Sequence, residues 1–368
     1  MKRVLHFLDS LEISGGVQAV VMNTYRSIDR TCVQFDFAVY ECPEKNSYRA
    51  EIESLGGKVY VIGGLGSCGL ITYIRNIRDV LKYKQYDIVH AHNLHHNGLI
   101  LWQAEKAGVP IRISHCHQSA DERNVSLPRR ALAEIFKKLI YGYATCLVAC
   151  SDKAADFLYG DRAYTFLPNA IDVMPYMRQY DLSTLRKSLG IEEKDIIILH
   201  VGRFCYPKNH GFDLELMEDL SKKGRYILLL VGGGELEEEF RMKVKNQHLE
   251  QFIRFIGLRK DIPSLLQISD VTILPSLAEG LPMVAVEAQA AGCPCILSDV
   301  ITRQADLGLG DVEFLPLDNA MWSQRIQEIC MSNKLRPNQE EIHKQLKKSG
   351  FESKANLQRW YELYGVNL

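Results

Sequence analysis

The sequence lacks an excess of either charge, since its 44 lysines and arginines nearly balance its 45 aspartates and glutamates. A general attraction to nucleic acid is therefore excluded, although a local basic patch is not. The sequence also lacks an apolar run of about 18 residues, which excludes a membrane-spanning helix, and it has neither an internal repeat nor a low-complexity tract. What remains is the composition of a soluble globular enzyme, with 46% hydrophobic and 24% charged residues.

Cysteine is not scarce, but the ten cysteines include no CxxC pair. Several of them lie in apolar runs such as residues 145–150, which is typical of small buried side chains in a reducing compartment. The first residues are basic, but the apolar stretch behind them is short and is broken by Asp9. This predicts a first strand and not a signal peptide, so we expect a cytoplasmic protein.

Apolar strand-like runs alternate with segments of helical period along the chain, which predicts βαβ units and parallel sheets. A length of 368 residues favours two domains. The predicted strands cover residues 3–9, 35–40, 58–64, 87–92, 112–117 and 146–151 in the first half, and 196–202, 226–234, 253–257, 271–276, 294–299 and 312–317 in the second.

An interdomain hinge is predicted for residues 167–182, which contain two prolines and no clear period. We therefore expect an N-terminal domain over residues 1–168, a C-terminal domain over 169–348, and a final helix within 349–368. Each domain is predicted to be Rossmann-like. Because ligands of open α/β sheets bind outside the carboxyl ends of the strands, the functional cleft is expected between the domains.

Two glutamates with seven residues between them stand out in the stretch 276–294, SLAEGLPMVAVEAQAAGCP. Glu279 lies in the loop after a predicted strand, and Glu287 lies about one and a half turns into a predicted helix. Free N–H groups and the helix dipole make the start of that helix an anion site, flanked by carboxylates that could accept from sugar hydroxyls. These N–H groups belong to Leu281, Met283 and Val284. The simpler alternative, favoured by this stretch alone, is that Glu279 caps the helix and Glu287 is a surface residue.

Two basic residues follow the first predicted strand of the second half, in HVGRFCYPKNH (200–210). Arg203 offers a planar guanidinium fork and Lys208 a point charge, which together suit a diphosphate. A solvated loop is the alternative. Their position at a carboxyl end of the same sheet as Glu279 favours a binding role.

Glycine motifs separate several nucleotide-binding classes. Ser14, Gly15 and Gly16 follow the first strand and open a helix whose N-terminus could approach a phosphate. A GxGxxG pattern occurs at residues 64–69, but it follows the third strand, and no acidic residue ends a strand about 20 residues later, so a nicotinamide dehydrogenase is disfavoured. The sequence has no GxxxxGK[ST] motif, which disfavours a P-loop kinase or NTPase.

Six of the eleven histidines lie between residues 90 and 117. Their spacing does not match the usual structural zinc sites, and only Cys116 offers a sulfur ligand among them. We therefore expect no metal, and imidazoles that line a cleft and donate hydrogen bonds to a substrate. The six are His90, His92, His95, His96, His115 and His117.

A basic amphipathic helix is predicted over residues 127–144. Its apolar stripe predicts an ordinary helix facing the core. The sharper hypothesis is a basic patch that meets anionic lipid headgroups or a lipid-linked diphosphate acceptor. The basic residues are Arg123, Arg129, Arg130, Lys137 and Lys138.

Taken together, these stretches resemble the retaining glycosyltransferases of family four, which have the GT-B fold, and in particular those of bacterial capsule and exopolysaccharide synthesis. The resemblance covers nearly the whole chain. It includes the stretch PNAID at 168–172, where Ala170 replaces the family's usual glycine. The matching motifs are Gly15-Gly16-Val17, His115-Cys116-His117, the loop from Gly202-Arg203-Phe204 through Lys208-Asn209, and the pair Glu279 and Glu287.

The resemblance implies a nucleotide-sugar donor, most commonly a UDP-sugar, and a saccharide or polyprenyl-diphosphate-linked acceptor. It also implies a metal-independent reaction, a final helix that crosses back to the first domain, and possible peripheral contact with the inner face of the membrane. The implied catalytic residues are His117 or His115, with His117 favoured, together with Glu279, Arg203 and Lys208. The implied donor-binding residues are Gly15, Gly16, Arg203, Lys208, Asn209, Gly233, Leu258, Glu279, Gly280, Leu281, Met283 and Glu287.

Two further classes share this architecture. A nucleotide-sugar 2-epimerase of GT-B fold would consume the donor without an acceptor. A non-catalytic partner subunit would keep the fold, but the intact set of Arg203, Lys208, Glu279 and Glu287 disfavours it.

Overall fold

The computed structural model describes residues 1–13, 15–119, 127–332 and 336–366. The chain forms two compact units. Unit 1 comprises residues 1–171 and 350–368, and unit 2 comprises residues 172–349. The divisions lie within three residues of the predicted boundaries at 168 and 348, and the C-terminal segment belongs to the first unit.

Unit 1 is a parallel sheet with helices on both faces. Its strands are β1 (Lys2–Leu8), β2 (Val33–Val39), β3 (Val59–Val61), β4 (Ile88–Ala91), β5 (Ile111–Cys116), β6 (Cys146–Ala149) and β7 (Thr165–Phe166). Its helices are α1 (Gly16–Ser27), α2 (Arg49–Ser54), α3 (Leu65–Cys68), α4 (Leu70–Tyr83), α5 (Asn97–Lys106), α6 (Leu127–Tyr143), α7 (Asp152–Tyr159) and, from the end of the chain, α16 (Ser353–Leu363).

Unit 2 repeats the plan with six parallel strands. These are β8 (Ile196–Val201), β9 (Tyr226–Val231), β10 (Ile253–Gly257), β11 (Val271–Leu274), β12 (Cys295–Ser298) and β13 (Val312–Leu315). Its helices are α8 (Met174–Met177), α9 (Leu182–Ser188), α10 (His210–Leu220), α11 (Glu237–Asn246), α12 (Ile262–Ile268), α13 (Met283–Ala290), α14 (Asn319–Met331) and α15 (Gln339–Ser349).

The strand order of both sheets reverses near the middle. Unit 1 has the order β3-β2-β1-β4-β5-β6-β7, and unit 2 has the order β10-β9-β8-β11-β12-β13. Every residue of β2 and of β9 is buried, because helices cover both faces of each sheet. The reversals lie between β1 and β4 and between β8 and β11, where loops diverge and leave room for a ligand.

The helix α16 completes one face of the first sheet. Trp360, Tyr361 and Tyr364 are buried in the same apolar cluster as Phe35 and Phe37 of β2. The chain reaches this position through a backbone pairing of Ile171 with Phe351 and Ser353. The end of the chain is therefore part of the core of unit 1.

The predicted strands and helices are largely confirmed, with differences at three places. The strand β7 was not predicted, because two residues carry no periodicity. The segment predicted as a hinge, 167–182, contains the short helix α8 and reaches the first residue of α9. The GxGxxG stretch forms α3, and Gly69 at its end is also the N-cap of α4. None of the helices, as far as the structure describes them, is long and apolar enough to cross a membrane.

Candidate functional site

The candidate site of unit 2 lies at the reversal of its sheet, where β8 and β11 run side by side. The chain leaves β8 through residues 202–209, which end in a short 3-10 helix, Tyr206–Lys208. It leaves β11 through residues 275–282, which lead into α13. The two loops hold each other, since the N–H of Leu277 donates to the carbonyl of Pro207 at 2.8 Å and the Asn209 amide donates to the carbonyl of Pro275 at 3.0 Å.

An ion pair joins the same two loops. Lys208 Nζ lies 2.5 Å from Glu279 Oε1, and Ser276 Oγ donates to that carboxylate oxygen at 2.8 Å. The side chains are 21% exposed for Lys208 and 12% for Glu279, so solvent screens the pair less than it screens a surface pair. Of the predicted site residues, Lys208, Asn209 and Glu279 are therefore brought together, although 71 positions separate Lys208 from Glu279 in sequence.

Arg203 points elsewhere in this structure. Its guanidinium lies 3.0 Å from the Glu235 carboxylate, and its side chain is 66% exposed. It therefore does not share the Lys208 ion pair, although both residues belong to the loop after β8. Of the two basic side chains of this loop, Arg203 is largely exposed to solvent and Lys208 is largely buried.

The helix α13 begins at Met283, because Pro282 has extended backbone and is the N-cap. Among the described residues, no side chain caps its first turn. Glu287 is hydrogen-bonded to Tyr176, which lies in α8 of the same unit. Burial raises the pKa of the Glu287 carboxyl, and the hydrogen bond from Tyr176 offsets part of that rise. Glu287 is thus neither a capping group nor a fully solvated side chain.

A glycine turn after β9 packs directly against the loop that carries Arg203. Gly232 and Gly234 have φ values of 145° and 158°, and a Cβ at Gly232 would lie 2.0 Å from the Gly202 carbonyl oxygen. The N–H of Phe204 donates to the carbonyl of Gly233 at 3.0 Å. Leu258, which was predicted to border the nucleotide base, is 72% exposed at the end of the next strand.

A buried histidine and aspartate lie beneath this loop and were not predicted. His200 Nδ1 is 2.7 Å from Asp213 Oδ2, and both side chains are fully buried. Burial lowers the pKa of His200 to about 3 and raises the pKa of Asp213 to about 7. His210 stacks on His200 with ring centroids 4.5 Å apart and planes 7° apart.

His200, His210 and Asp213 are near enough to one another to bind a metal ion. The parallel stacking of the two imidazole rings disfavours such a site. The lone pair of an imidazole nitrogen lies in the ring plane, so two parallel rings cannot direct lone pairs at one ion about 2 Å from each.

In unit 1, the candidate residues lie at the corresponding reversal between β1 and β4. Gly15 is the N-cap of α1 and has extended backbone, and a Cβ at Gly16 would meet no atom within 4 Å. The neighbouring Asn93 donates from its amide to Asp9 Oδ1 at 2.6 Å. Ser14 lies outside the described residues.

The histidines at this edge form a buried hydrogen-bonded chain. Burial lowers the pKa of each one, to about 3 for His6 and about 4 for His117. Both ring nitrogens of His117 have protein partners, His92 at 2.9 Å and Asn169 at 3.2 Å. His115 is 1% exposed, and its Nδ1 is 3.1 Å from His90. His117 is therefore not presented as a free donor, whereas the Nε2 of His115 is buried without a hydrogen-bond partner among the described residues.

The basic helix α6 only partly matches its prediction. Phe136 and Ile140 are buried, but Leu132 is 42% and Ile135 is 55% exposed. Lys137 pairs with Glu134 at 3.2 Å, which leaves Arg130 and Lys138 as exposed basic side chains. Arg123 lies outside the described residues, and the side chain of Arg129 is not described.

Several hydrogen-bonding partners of the predicted site residues were not predicted from the sequence. His6, Asn169 and Tyr364 join the predicted histidines, Tyr176 joins Glu287, and Ser276 joins Glu279. A signal was present for His6 and His200, because each interrupts an otherwise apolar strand. A polar side chain buried in that way needs a hydrogen-bonding partner.

Comparisons with known proteins agree with this architecture. Residues 15–176 match the family "Glycosyl transferase 4-like domain", and residues 181–311 match "Glycosyl transferases group 1". The chain is 36% identical to the putative glycosyltransferase EpsF of Bacillus subtilis, across 100% of this chain and 97% of that protein. It is 29% identical to an Escherichia coli protein named UDP-Gal:alpha-D-GlcNAc-diphosphoundecaprenol alpha-1,3-galactosyltransferase, across 63% of this chain and 64% of that protein.

A solved structure shares the fold over nearly the full length. It is HepE of Anabaena in complex with UDP and glucose, with a TM-score of 0.81 and 17% identity. The alignment covers 99% of this chain and 100% of that one.

Proposed function

Because this chain belongs to the family-four glycosyltransferases of GT-B fold, we propose that it moves a sugar, with retention of configuration, from a UDP-sugar to a saccharide or lipid-linked saccharide acceptor of a surface polysaccharide. The observation that carries the proposal is the Lys208–Glu279 ion pair at the reversal of the second sheet. It places a cation and a carboxylate side by side at the edge where ligands of such sheets bind.

Lys208 and Glu279 have the charges that suit the two sides of the bond between the sugar and the diphosphate. As the sugar leaves, negative charge grows on the diphosphate and positive charge grows on the sugar ring. Lys208 would leave Glu279 for the diphosphate, and the Glu279 carboxylate would then accept hydrogen bonds from sugar hydroxyls. The ligand-free ion pair thus keeps both charges neutralised until the donor replaces each partner.

Further groups of unit 2 would share the diphosphate charge. The N–H groups at the start of α13, those of Leu281 and Met283, would bind a phosphate oxygen together with the backbone of Gly280. Glu287 would exchange its Tyr176 partner for the ribose hydroxyls, and Gly233 and Leu258 would border the base. At the start of α1, the N–H of Gly15 already donates to the carbonyl of Glu12 at 3.2 Å, so Gly16 is the residue there that would offer its backbone N–H to a phosphate.

Retention would follow from attack on the face that the diphosphate leaves. The departing phosphate oxygen takes the proton of the acceptor hydroxyl as that hydroxyl forms the new bond to the sugar, so no nucleophilic carboxylate is needed. Lys208, Arg203 and the α13 terminus would supply the positive charge, and a divalent ion is not required. Addition of EDTA is expected to leave turnover unchanged.

Variants of the ion pair test the proposal. Lys208→Ala and Glu279→Ala are each expected to lower kcat/KM by about 100- to 1,000-fold, or about 3–4 kcal/mol of transition-state stabilisation. Lys223→Ala is the matched control, since its ion pair with Asp219 at 2.6 Å lies in the same unit, at the end of α10 and outside the two site loops. Circular dichroism would verify that each variant is folded. Near-normal turnover by either site variant would refute the assignment.

A second experiment identifies the donor and separates the alternatives. UDP-, GDP- and ADP-sugars are screened by thermal shift, because a ligand that binds only the folded state raises the melting temperature. The preferred donor is then incubated with and without acceptor, and the products are analysed by NMR. Transfer with the donor's anomeric configuration supports the proposal, whereas a 2-epimer formed without acceptor indicates an epimerase.

The acceptor side is proposed from α6. Its exposed Arg130, Lys138, Leu132 and Ile135 would suit the surface of an anionic bilayer that presents a lipid-linked acceptor. The acceptor in the name of the Escherichia coli relative is a diphosphoundecaprenol-linked sugar, which supports this class. Sedimentation with anionic and with neutral vesicles would measure the contact.

A further inference from the structure

We propose that five histidines of unit 1 and Tyr364 form one uncharged hydrogen-bonded relay in which all five rings have the same tautomer, and that Tyr364 is a positioning residue that acts on His117 through it. The five rings are His6, His90, His92, His115 and His117. They come from three neighbouring strands or from the residues directly after them, and the hydroxyl comes from α16 at the other end of the chain.

The contacts run through the group without a branch. His6, His90, His92 and His117 each use one ring nitrogen toward one neighbour and the other nitrogen toward the next, at hydrogen-bonding distance, and His115 ends the series with a buried Nε2 that has no hydrogen-bond partner among the described residues. In order, the links are Asn169 Oδ1 to His117 Nδ1 at 3.2 Å, His117 Nε2 to His92 Nδ1 at 2.9 Å, His92 Nε2 to His6 Nδ1 at 3.0 Å, His6 Nε2 to Tyr364 Oη at 3.3 Å, Tyr364 Oη to His90 Nδ1 at 3.0 Å, and His90 Nε2 to His115 Nδ1 at 3.1 Å.

Counting protons along these links leaves two directions for the whole series. A neutral imidazole has one N–H and one acceptor nitrogen, and a tyrosine hydroxyl donates one hydrogen bond while it accepts another. With the Asn169 oxygen toward His117, as here, His117 carries its proton on Nδ1 and its Nε2 accepts from His92, and the same step repeats until every ring is protonated on Nδ1. Turning the Asn169 amide would reverse every link and place every proton on Nε2, so the five rings share one tautomer in either direction.

The tautomers are therefore coupled. If one ring moved its proton to Nε2, it would place two donors face to face at one link and two lone pairs at the other. One protonated ring would break the pattern in the same way, because both of its nitrogens would donate. Burial disfavours that charge and lowers the pKa of all five rings, to about 4 for His117.

Head-to-tail pairing also argues against a metal ion. Two sets of three rings are compact enough to be considered, His6 with His90 and His92, and His92 with His115 and His117. A zinc ion needs three lone pairs that converge on one point about 2.0–2.1 Å away. Here the nitrogens meet in separate pairs, and each pair is satisfied by one shared proton.

Tyr364 is the link that joins the two halves of the relay. Its hydroxyl donates to His6 and accepts from His90, so it connects the His117 end with the His115 end. Three hydrogen bonds separate it from His117, which it does not touch. The relay itself is independent of the proposed transfer reaction; only an effect of His117 on turnover would rest on that function.

The experiment is NMR of the full-length protein with ¹⁵N-labelled histidine at neutral pH. The ¹⁵N shift distinguishes a protonated from an unprotonated ring nitrogen, and each signal is assigned by single His→Gln variants. We expect the five relay histidines, among the eleven of the chain, to be neutral and to share one tautomer. Mixed tautomers among the five, or an imidazolium, would overturn the proposal without the need for any Tyr364 variant.

Tyr364→Phe then tests positioning. We expect the His117 signal to lose its single-tautomer pattern, although His117 is remote from the substitution. Tyr361→Phe is the matched control, because Tyr361 is also buried in α16 and its hydroxyl accepts from the N–H of Asp29 at 2.7 Å, outside the relay. If Tyr364→Phe alters only His6 and His90, as a local structural role would, the positioning role is wrong.

In a last experiment, one equivalent of Zn²⁺ is added without any other ligand and the ¹⁵N NMR spectrum is recorded again. Unchanged signals from the five rings support the relay. A stoichiometric shift of three of them would replace the relay with a metal site, and the outcome does not depend on turnover.

Discussion

At the scale of the residue, the two basic side chains of one loop differ in their surroundings. Lys208 is half-buried against Glu279, whereas Arg203 is 66% exposed against Glu235. A surface ion pair of the second kind contributes about 0–1 kcal/mol to stability. Arg203 is therefore free to leave Glu235 for a ligand at little cost, while Lys208 must exchange one anion for another.

This difference predicts the effect of Arg203→Ala. The free energy of unfolding should change by less than about 0.5 kcal/mol, because a solvated side chain is removed. The KM for the donor should rise several-fold, because a diphosphate contact is lost. Urea unfolding and steady-state kinetics measure the two effects, with Glu235→Ala as the control that removes the partner alone. A normal donor KM for Arg203→Ala would exclude this residue from the donor site.

At the scale of the element, the glycine turn after β9 sets the position of the loop after β8. A side chain at Gly232 would meet the Gly202 carbonyl, and one at Gly234 would lie 2.5 Å from the Phe204 carbonyl oxygen. Both glycines also have positive φ, which side-chain-bearing residues rarely adopt. Gly233 has neither constraint, since a Cβ there would have its nearest contact at 3.8 Å.

Alanine substitutions along this turn should therefore differ sharply. Gly232→Ala and Gly234→Ala are expected to destabilise the protein by about 2 kcal/mol or more, through backbone strain and a clash with backbone atoms. Both should also raise the donor KM, because Arg203 and Lys208 lie on the displaced loop. Gly233→Ala should change stability by less than about 0.5 kcal/mol. Equal melting temperatures for all three variants would contradict this account of the turn.

At the scale of the whole molecule, buried histidines make the two units respond differently to acid. In unit 1, five relay histidines and His96 have lowered pKa values. In unit 2, burial also lowers the pKa of His200 and His210 to about 3, but it raises the pKa of Asp213 to about 7. Carboxyls whose pKa is raised by burial oppose the histidines in both units, but unit 1 has Asp9 against six histidines, whereas unit 2 has Asp213 and Glu287 against two.

The sign follows from proton binding. An unfolded histidine takes a proton below about pH 6.5, whereas His117 in the folded protein stays neutral down to its pKa of about 4. The unfolded state then binds more protons, so stability is full above about pH 6.5 and is lost as the pH falls through the folded pKa values. Asp213 acts oppositely, because its folded form keeps a proton that the unfolded form has released.

We therefore expect unit 1 to unfold first as the pH is lowered from about 7 to about 4.5. Each histidine with a lowered pKa decreases the free energy of unfolding by up to about 1.4 kcal/mol for each pH unit of acidification. Hydrogen exchange at several pH values, read separately for residues 1–119 and 172–332, measures the two units. His92→Gln should weaken the pH dependence of hydrogen-exchange protection in unit 1. Equal loss of protection in both units would contradict the assignment to the relay.

Much of the fold could be predicted from the sequence because it depends on periodicity. The apolar runs of β1, β2, β8 and β9 are long enough to define strands, and the glutamates at 279 and 287 follow such a strand. The strand β7, with two residues, leaves no such pattern. The helix α8 was missed because Pro175 and a length of four residues resemble a loop.

The sequence by itself determined the two parallel sheets, the family, and the loops that carry Arg203, Lys208 and Glu279, because alternating apolar runs and short motifs are local properties of a chain. Only the tertiary structure decided that Glu279 pairs with Lys208 instead of Arg203, and that Glu287 is hydrogen-bonded to Tyr176. It alone also places the Tyr364 hydroxyl against His6, 358 positions away in the sequence. Hydrogen bonds depend on distance and direction in space, and separation along the sequence does not encode either.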